Sequence, residues 1–355
     1  MNIIITAPSL DSNHNVSGIS SVTNFIIEKN PSQNYIHFEI GKRDNDARGL
    51  GRMLGILKSY FKWLFTLLKA RNKLVHFNLP LDAKSVIRDC PLVILTRFFA
   101  VKMVIHVHGG AYILNDNIPS WAKFLLKTSF GSNNPKIVLG EVEKDFLINT
   151  FHCKNVHVLP NSLNLDDAEQ FERIADKNLR FLFLGRISKE KGIEYIFKAF
   201  KTLKKNHNYT AEFYMAGKGE DEEEYVQKFR NLLAENFHFK GVVFGNAKTE
   251  LLKTCNIFLL PSFFEGLPIS LLEAMSFSQV PIVTNVGSIK YVIKHQENGL
   301  FAGVKNSNDI VNAILEIKNN PASQENMSKE AKQTVFENFN PTDYIKKLNL
   351  IYSYE

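Results

Sequence analysis

The sequence holds few cysteines: three in 355 residues, Cys90, Cys153 and Cys255. They are far apart, odd in number and form no C-x-x-C pair. That argues against a disulfide framework or a zinc site, and for reduced, buried thiols. No apolar run of about eighteen residues occurs, so no segment is expected to span a bilayer. The opening MNIIITAPSL has neither a charged n-region nor a small-residue cleavage site, so no secretory signal is expected and the protein is placed in the cytoplasm. Tandem repeats and low-complexity tracts are absent too.

What is present is ordinary globular composition, 45% apolar and 22% charged. The length exceeds one average domain and suits two. Net charge is +7 and lopsided. Residues 1–165 carry 19 Lys+Arg against 11 Asp+Glu, and the remainder 24 against 25. The first part alone is basic, which points to an anionic partner for that part.

Short β-branched runs alternate with longer amphipathic stretches. Strands are predicted at 2–6, 34–39, 74–77, 102–107, 136–140 and 155–159. A second series follows at 179–184, 211–216, 239–244, 256–260, 280–284 and 299–302. Helices are predicted at 18–29, 52–71, 82–99, 191–206, 221–236, 268–277 and 306–318, with a terminal helix after Pro341. Such alternation means parallel sheets covered by helices. The expected fold is α/β, two doubly wound Rossmann-like domains facing a cleft, with the C-terminal helix packing back on the first. The expected boundaries are 1–165, 166–338 and a terminal helix at 339–355.

Ligands of doubly wound sheets sit at the carboxyl ends of strands, so segments just after strands carry most weight. In FFEGLPISLLEAM (263–275), Glu265 and Gly266 lie in a turn, Pro268 is read as a first-turn helix residue, and Glu273 falls on the helix behind. Amides of Gly266, Leu267 and Ile269 at that helix start favour phosphate, and the two carboxylates could accept from sugar and ribose hydroxyls. Taken alone, the spacing favours a helix with an acidic first turn and a surface glutamate. In FLGRISKEKGIEYIFKAF (183–200), Arg186 and Lys191 flank one strand–helix turn and could neutralise a diphosphate, although a solvated basic loop would look the same. YMAGKGEDEEEY (214–225) has only Gly217 and Gly219 and reads as a tight turn before an acidic helix start. In the loop at 7–25, Gly18 opens a helix where backbone could approach a ligand, and an ordinary βα loop accounts for it equally. In VIHVHGG (104–110), His106 belongs inside the strand as a structural residue, and His108 at its end where a ligand would sit.

The series G-R-x4-K-G, A-G-x-G, P-S-x2-E-G-x-P-x3-L-E-A-M and N-G-L resembles the retaining glycosyltransferases of family 4, which adopt the GT-B fold. The resemblance covers the whole chain and is densest from 181 to 302. It implies that Arg186 and Lys191 hold the donor diphosphate, that Glu265 lies near the transferred sugar, and that Glu273 takes the ribose. Gly266 and Leu267 would supply amides, His108 would sit near the reacting sugar, and Gly18 would belong to the glycine loop of the first domain. It further implies retention of anomeric configuration and no metal or other cofactor. The chain departs from the family where Ser17 precedes Gly18, where Ser278 replaces a common glycine, and at Gly287-Ser288-Ile289-Lys290-Tyr291, which lacks a common acidic residue.

The expected reaction moves a hexose or N-acetylhexosamine from a UDP- or GDP-sugar to a glycan or lipid-linked glycan, in cell-surface polysaccharide synthesis. Asp44-Asn45-Asp46 is read as solvated loop rather than a metal site. Segment 52–73, with Arg52, Lys58, Lys62, Trp63, Lys69, Arg71 and Lys73, reads as a basic amphipathic helix that packs on the first domain and can lie on an anionic membrane surface. That would make the protein peripheral on the inner face of the cell membrane. The alternatives are a nucleotide-sugar epimerase on the same fold and a non-catalytic sugar-nucleotide binding protein. Nucleic acid ranks last as a partner, since no recognisable motif for it is present.

Overall fold

The computed structural model describes residues 1–11, 15, 17–41, 50–69, 73–114, 118–174, 176 and 178–354. They form two compact units, Met1–Asn161 with Pro341–Glu355, and Ser162–Asn340.

The first unit runs β1 (Asn2–Ala7), α1 (Gly18–Lys29), β2 (Asn34–Glu39), α2 (Leu50–Leu68), β3 (Lys73–Leu79) and α3 (Ala83–Phe98). It continues through β4 (Met103–Val107), α4 (Ala111–Leu114), α5 (Ser120–Phe130), β5 (Lys136–Val138), α6 (Glu141–Phe151) and β6 (Val156–Val158). The sheet is fully parallel in the order β2-β1-β3-β4-β5-β6. The order reverses between β1 and β3, the topological switch point at which such sheets bind ligands. On one face, Trp63 and Leu67 of α2, Val86 and Val93 of α3 and Leu126 of α5 join Val75, Phe77 and Ile105 of the strands in one core.

The second unit runs α7 (Asp166–Glu169), β7 (Arg180–Leu184), α8 (Ile193–His207), β8 (Glu212–Ala216), α9 (Glu222–Leu233), β9 (Phe237–Gly241) and α10 (Gly245–Thr254). It closes with β10 (Ile257–Leu260), α11 (Ile269–Ser276), β11 (Val280–Thr284), β12 (Leu300–Ala302), α12 (Ser307–Asn319) and α13 (Pro321–Asn338). Its parallel sheet has the order β12-β11-β10-β7-β8-β9, with the switch point between β7 and β10. The central strands β7, β10 and β11 are buried on both faces, which explains their near-continuous apolar sequences.

The last helix, α14 (Pro341–Tyr352), packs against the other face of the first sheet, as the fold expectation has it. Phe25 of α1 meets Tyr344 edge-on at 5.5 Å. Asn30 Nδ2 donates to Asn349 Oδ1 at 2.9 Å, and Tyr354 OH donates to the Met103 carbonyl at 3.1 Å.

Two local readings need correction. The ninth strand ends at Gly241, whose φ of +61° turns the chain, so the apolar Val242-Val243-Phe244 lies beyond it and the strand is not at 239–244. Pro268 is the N-cap of α11 and not a first-turn residue; its ψ of 124° is extended.

Candidate active site

In the first unit, His108 follows β4 directly and is half-buried. Gly109 and Gly110 follow with φ of +72° and +131°, and a Cβ on Gly110 would lie 2.4 Å from the Leu81 carbonyl oxygen. The glycines therefore let the chain tuck under the end of β3, and Leu81 N donates to Gly109 O at 2.8 Å. This fold-back sets the backbone position of His108.

Asn78, at the end of β3, sets its ring. Asn78 Nδ2 donates to the Thr6 carbonyl at 2.7 Å and to Thr23 Oγ1 at 3.1 Å, while Thr23 itself donates to Ile19 O. A carbonyl oxygen only accepts, so the amide can be oriented one way, with Oδ1 toward His108 Nε2 at 2.6 Å. Nε2 must then carry the hydrogen, and Nδ1 presents a lone pair. Among the described residues Nδ1 makes no hydrogen bond. Burial, helped by His76, lowers the pKa of His108 to about 3, so the ring is neutral near pH 7.

His106 is fully buried, as its strand position implied. Its Nδ1 faces His76 Nε2 at 3.2 Å, and His76 Nδ1 faces Tyr352 OH at 2.6 Å. His106 Nε2 is buried without a partner among the described residues. A bare lone pair is less unfavourable than a bare N–H, so hydrogen sits on Nδ1 and the relay runs His106 to His76 to Tyr352. Burial holds both rings neutral, with His76 lowered to about 3 and His106 well below its usual value. Gly18 begins α1, the helix that carries Thr23, and Ser17 caps it through Ser20 N at 3.1 Å.

In the second unit, the turns after the adjacent strands β7 and β10 meet. Gly192 has φ of +75°, and a Cβ there would lie 2.1 Å from the Pro261 carbonyl oxygen, so only glycine permits the approach. Phe263 N donates to Glu190 O at 2.8 Å. Lys191 Nζ then reaches Glu265 Oε1 at 2.5 Å, and Ser262 Oγ donates to the same oxygen at 2.7 Å. The Glu265 side chain is 8% exposed, so removing its partner would leave a buried carboxylate uncompensated, which is costly. Gly266 is locked by Ser288 N, which donates to its carbonyl at 3.1 Å. Leu267 is buried. Arg186 is exposed and pairs with no carboxylate among the described residues. Glu273, on α11, accepts from Lys248 Nζ at 2.6 Å.

Sequence reasoning thus missed three contributors. Asn78 ends a strand, which was a usable signal; Ser262 stands within the quoted P-S-x2-E-G run. Lys248 had none, because α10 itself was not foreseen. Asp44-Asn45-Asp46 lies outside the described residues.

Residues 166–334 match the family described as "Glycosyl transferases group 1". An uncharacterized glycosyltransferase of Methanocaldococcus jannaschii is 28% identical over 54% of this chain and 50% of its own length, so the chain spans about half of that relative. A UDP-Gal:alpha-D-GlcNAc-diphosphoundecaprenol alpha-1,3-galactosyltransferase of Escherichia coli is 22% identical over 73% of this chain and 71% of that one. The solved sucrose-phosphate synthase of Thermosynechococcus elongatus superposes with TM-score 0.81 over 99% of this chain and 98% of that one, at 16% identity, which speaks for the fold. Residues 166–334 are therefore similar to the group 1 glycosyl transferases, and the two parallel α/β sheets are those of the GT-B fold.

Proposed function

We propose that the chain is a metal-independent, retaining glycosyltransferase. It takes a hexose or N-acetylhexosamine from a UDP- or GDP-sugar and passes it to a glycan or lipid-linked glycan in cell-surface polysaccharide synthesis. The observation that carries this is the meeting of the Lys191 and Glu265 turns at the β7–β10 switch point. A cation, a carboxylate and a helix start converge there, at the place where parallel sheets bind nucleotides. The similarity to an enzyme named for a UDP-sugar and a diphosphoundecaprenol acceptor supports the donor and acceptor classes.

In this reading the second unit binds the donor. Arg186 and Lys191 offset the charge that develops on the departing diphosphate, with the amides of Gly266 and Leu267 helping. Glu273 accepts from the ribose while Lys248 holds its other side. Glu265, fixed by Lys191 and Ser262, receives hydroxyls of the transferred sugar. The first unit receives the acceptor and offers the His108 Nδ1 lone pair to a hydroxyl near the reacting sugar, with Gly18 leaving room for ligand. Attack comes on the face that the diphosphate leaves, and a leaving phosphate oxygen takes the acceptor proton. Segment 52–73 brings the protein to the inner face of the membrane as a peripheral protein.

A thermal-shift panel of UDP- and GDP-sugars tests the donor: one class is expected to raise the melting temperature selectively. Glu265→Ala should keep donor binding and lose turnover by about 10²–10³. A new sugar isomer from donor and enzyme alone would replace transfer by epimerisation.

A further inference from the structure

Three neighbouring helices on one face of the first unit leave apolar stripes uncovered. Along α2 the exposed residues Leu57, Phe61, Phe65 and Leu68 follow at intervals of four, four and three, one stripe on the side away from buried Trp63 and Leu67. Phe61 and Phe65 are 65% and 63% exposed, far above what scattered surface residues need to explain. On α3, Ile87 and Phe98 are exposed eleven residues apart, with half-covered Pro91 and Ile94 between them on the same stripe. On α5, Trp121 and Phe124 are exposed, opposite buried Ala122 and Leu126.

The three stripes point the same way. Their helices bury the opposite sides in one core against the same sheet face. They are also tied side by side: Trp63 Nε1 donates to Thr96 Oγ1 at 3.0 Å, and Arg97 Nη1 donates to Thr128 O at 3.0 Å. The result is an outward layer about 28 Å long and about 20 Å wide.

Its charge has one sign. Lys58, Lys62, Lys84, Arg97, Lys123 and Lys127 are exposed on these helices. The one acidic residue in α2, α3 and α5 is Asp89, which is buried and bound by Arg88 at 2.5 and 2.7 Å. The next helix, α6, exposes Glu141 and Asp145 and marks the edge.

We propose that α2, α3 and α5 together form a membrane-docking plate that lies on an anionic bilayer, with Phe61, Phe65, Phe98, Trp121 and Phe124 entering the headgroup boundary. Apolar stripes bordered by lysine and lacking acid suit an interface of lipid phosphate over acyl chains. A second copy of this chain would bring like charge against like. The proposal rests on the reading of α2 as membrane-facing and extends it to two helices whose sequences had not suggested it. Docking by three helices fixes orientation, which one amphipathic helix cannot do, and would hold the acceptor-binding unit at a set tilt to a lipid-linked glycan.

The test is co-sedimentation of the full chain with phosphatidylcholine vesicles, with and without phosphatidylglycerol. The wild type should bind the anionic vesicles at low salt and release as salt rises. Phe98→Ser/Phe124→Ser, which touches neither α2 nor the candidate site, should weaken binding about tenfold per aromatic side chain removed. Phe61→Ser/Phe65→Ser should do the same. If only the α2 variant loses binding, the plate is wrong and the α2 reading stands. If the wild type binds neither vesicle, both fail. A wild-type dimer in light scattering that the Phe98/Phe124 variant abolishes would assign the face to a second copy and overturn the proposal.

Discussion

Asn78 Oδ1 and His108 Nε2 stand 2.6 Å apart, and the Thr6 carbonyl, by holding Asn78 Nδ2, decides which of the two carries the hydrogen. The ring at the end of β4 therefore acts as an acceptor through Nδ1. Nitrogen-15 spectra of His108 should show a neutral ring protonated at Nε2 from pH 8 to pH 5. Asn78→Asp places a carboxylate where the amide oxygen was and should raise the His108 pKa by more than a unit, since an adjacent opposite charge favours the imidazolium. Activity should then fall on the acid side of the pH profile, where Nδ1 gains a proton. An unprotonated Nε2 in the wild-type spectrum would defeat the assignment.

His76 makes a pH-dependent contribution to stability. Its folded pKa, about 3, lies below the usual 6.5 because the ring is fully buried. The unfolded chain therefore binds more protons between these values, and protonation favours unfolding. The stability that neutral His76 contributes is complete above about pH 6.5 and falls by about 1.4 kcal/mol per pH unit below it. Urea midpoints measured between pH 7 and pH 5 should decline, and His76→Phe should flatten that decline even though it also loses the Tyr352 bond. An unchanged slope in the variant would exclude His76 as the titrating group.

Gly18 and Gly287 answer different questions. A Cβ on Gly287, at φ of +54°, would lie 1.8 Å from the Glu265 carbonyl oxygen, so Gly287→Ala should destabilise the second unit by more than about 1 kcal/mol and displace the Glu265 turn. A Cβ on Gly18 would meet nothing within 4 Å. Gly18→Ala should leave the melting temperature unchanged or slightly higher, because alanine favours helix. A loss of turnover in Gly18→Ala with stability intact would report ligand close to this backbone. Full activity in that variant would remove Gly18 from the site.

The alternation of strand and helix was legible because both periods are written in the apolar pattern: among the described residues all twelve strands, from β1 to β12, fall on or beside the predicted runs. Helices α4, α5, α6, α7, α10 and α13 were not foreseen. In α13, for example, Met327, Ala331 and Val335 are the buried apolar positions in an otherwise polar helix, too sparse a pattern to stand out. At the site, Arg186, Lys191 and Glu265 stood out because each lies beside a glycine in a turn after a strand, and Glu273 because it follows Glu265 on the helix behind. Lys248 did not, since it reaches Glu273 from a separate helix.

The sequence by itself determined the two parallel sheets, the basic first half and the short list of residues after strands, all consequences of local periodicity and composition. Only the tertiary structure decided that Lys191 donates to Glu265 Oε1, 74 positions away. It alone showed that Asn78 governs the His108 tautomer, and that the stripes of α2, α3 and α5 face one way. Strand order sets which chain segments become neighbours, and the backbone carbonyls and sheet faces that orient those side chains exist only once the sheet has formed.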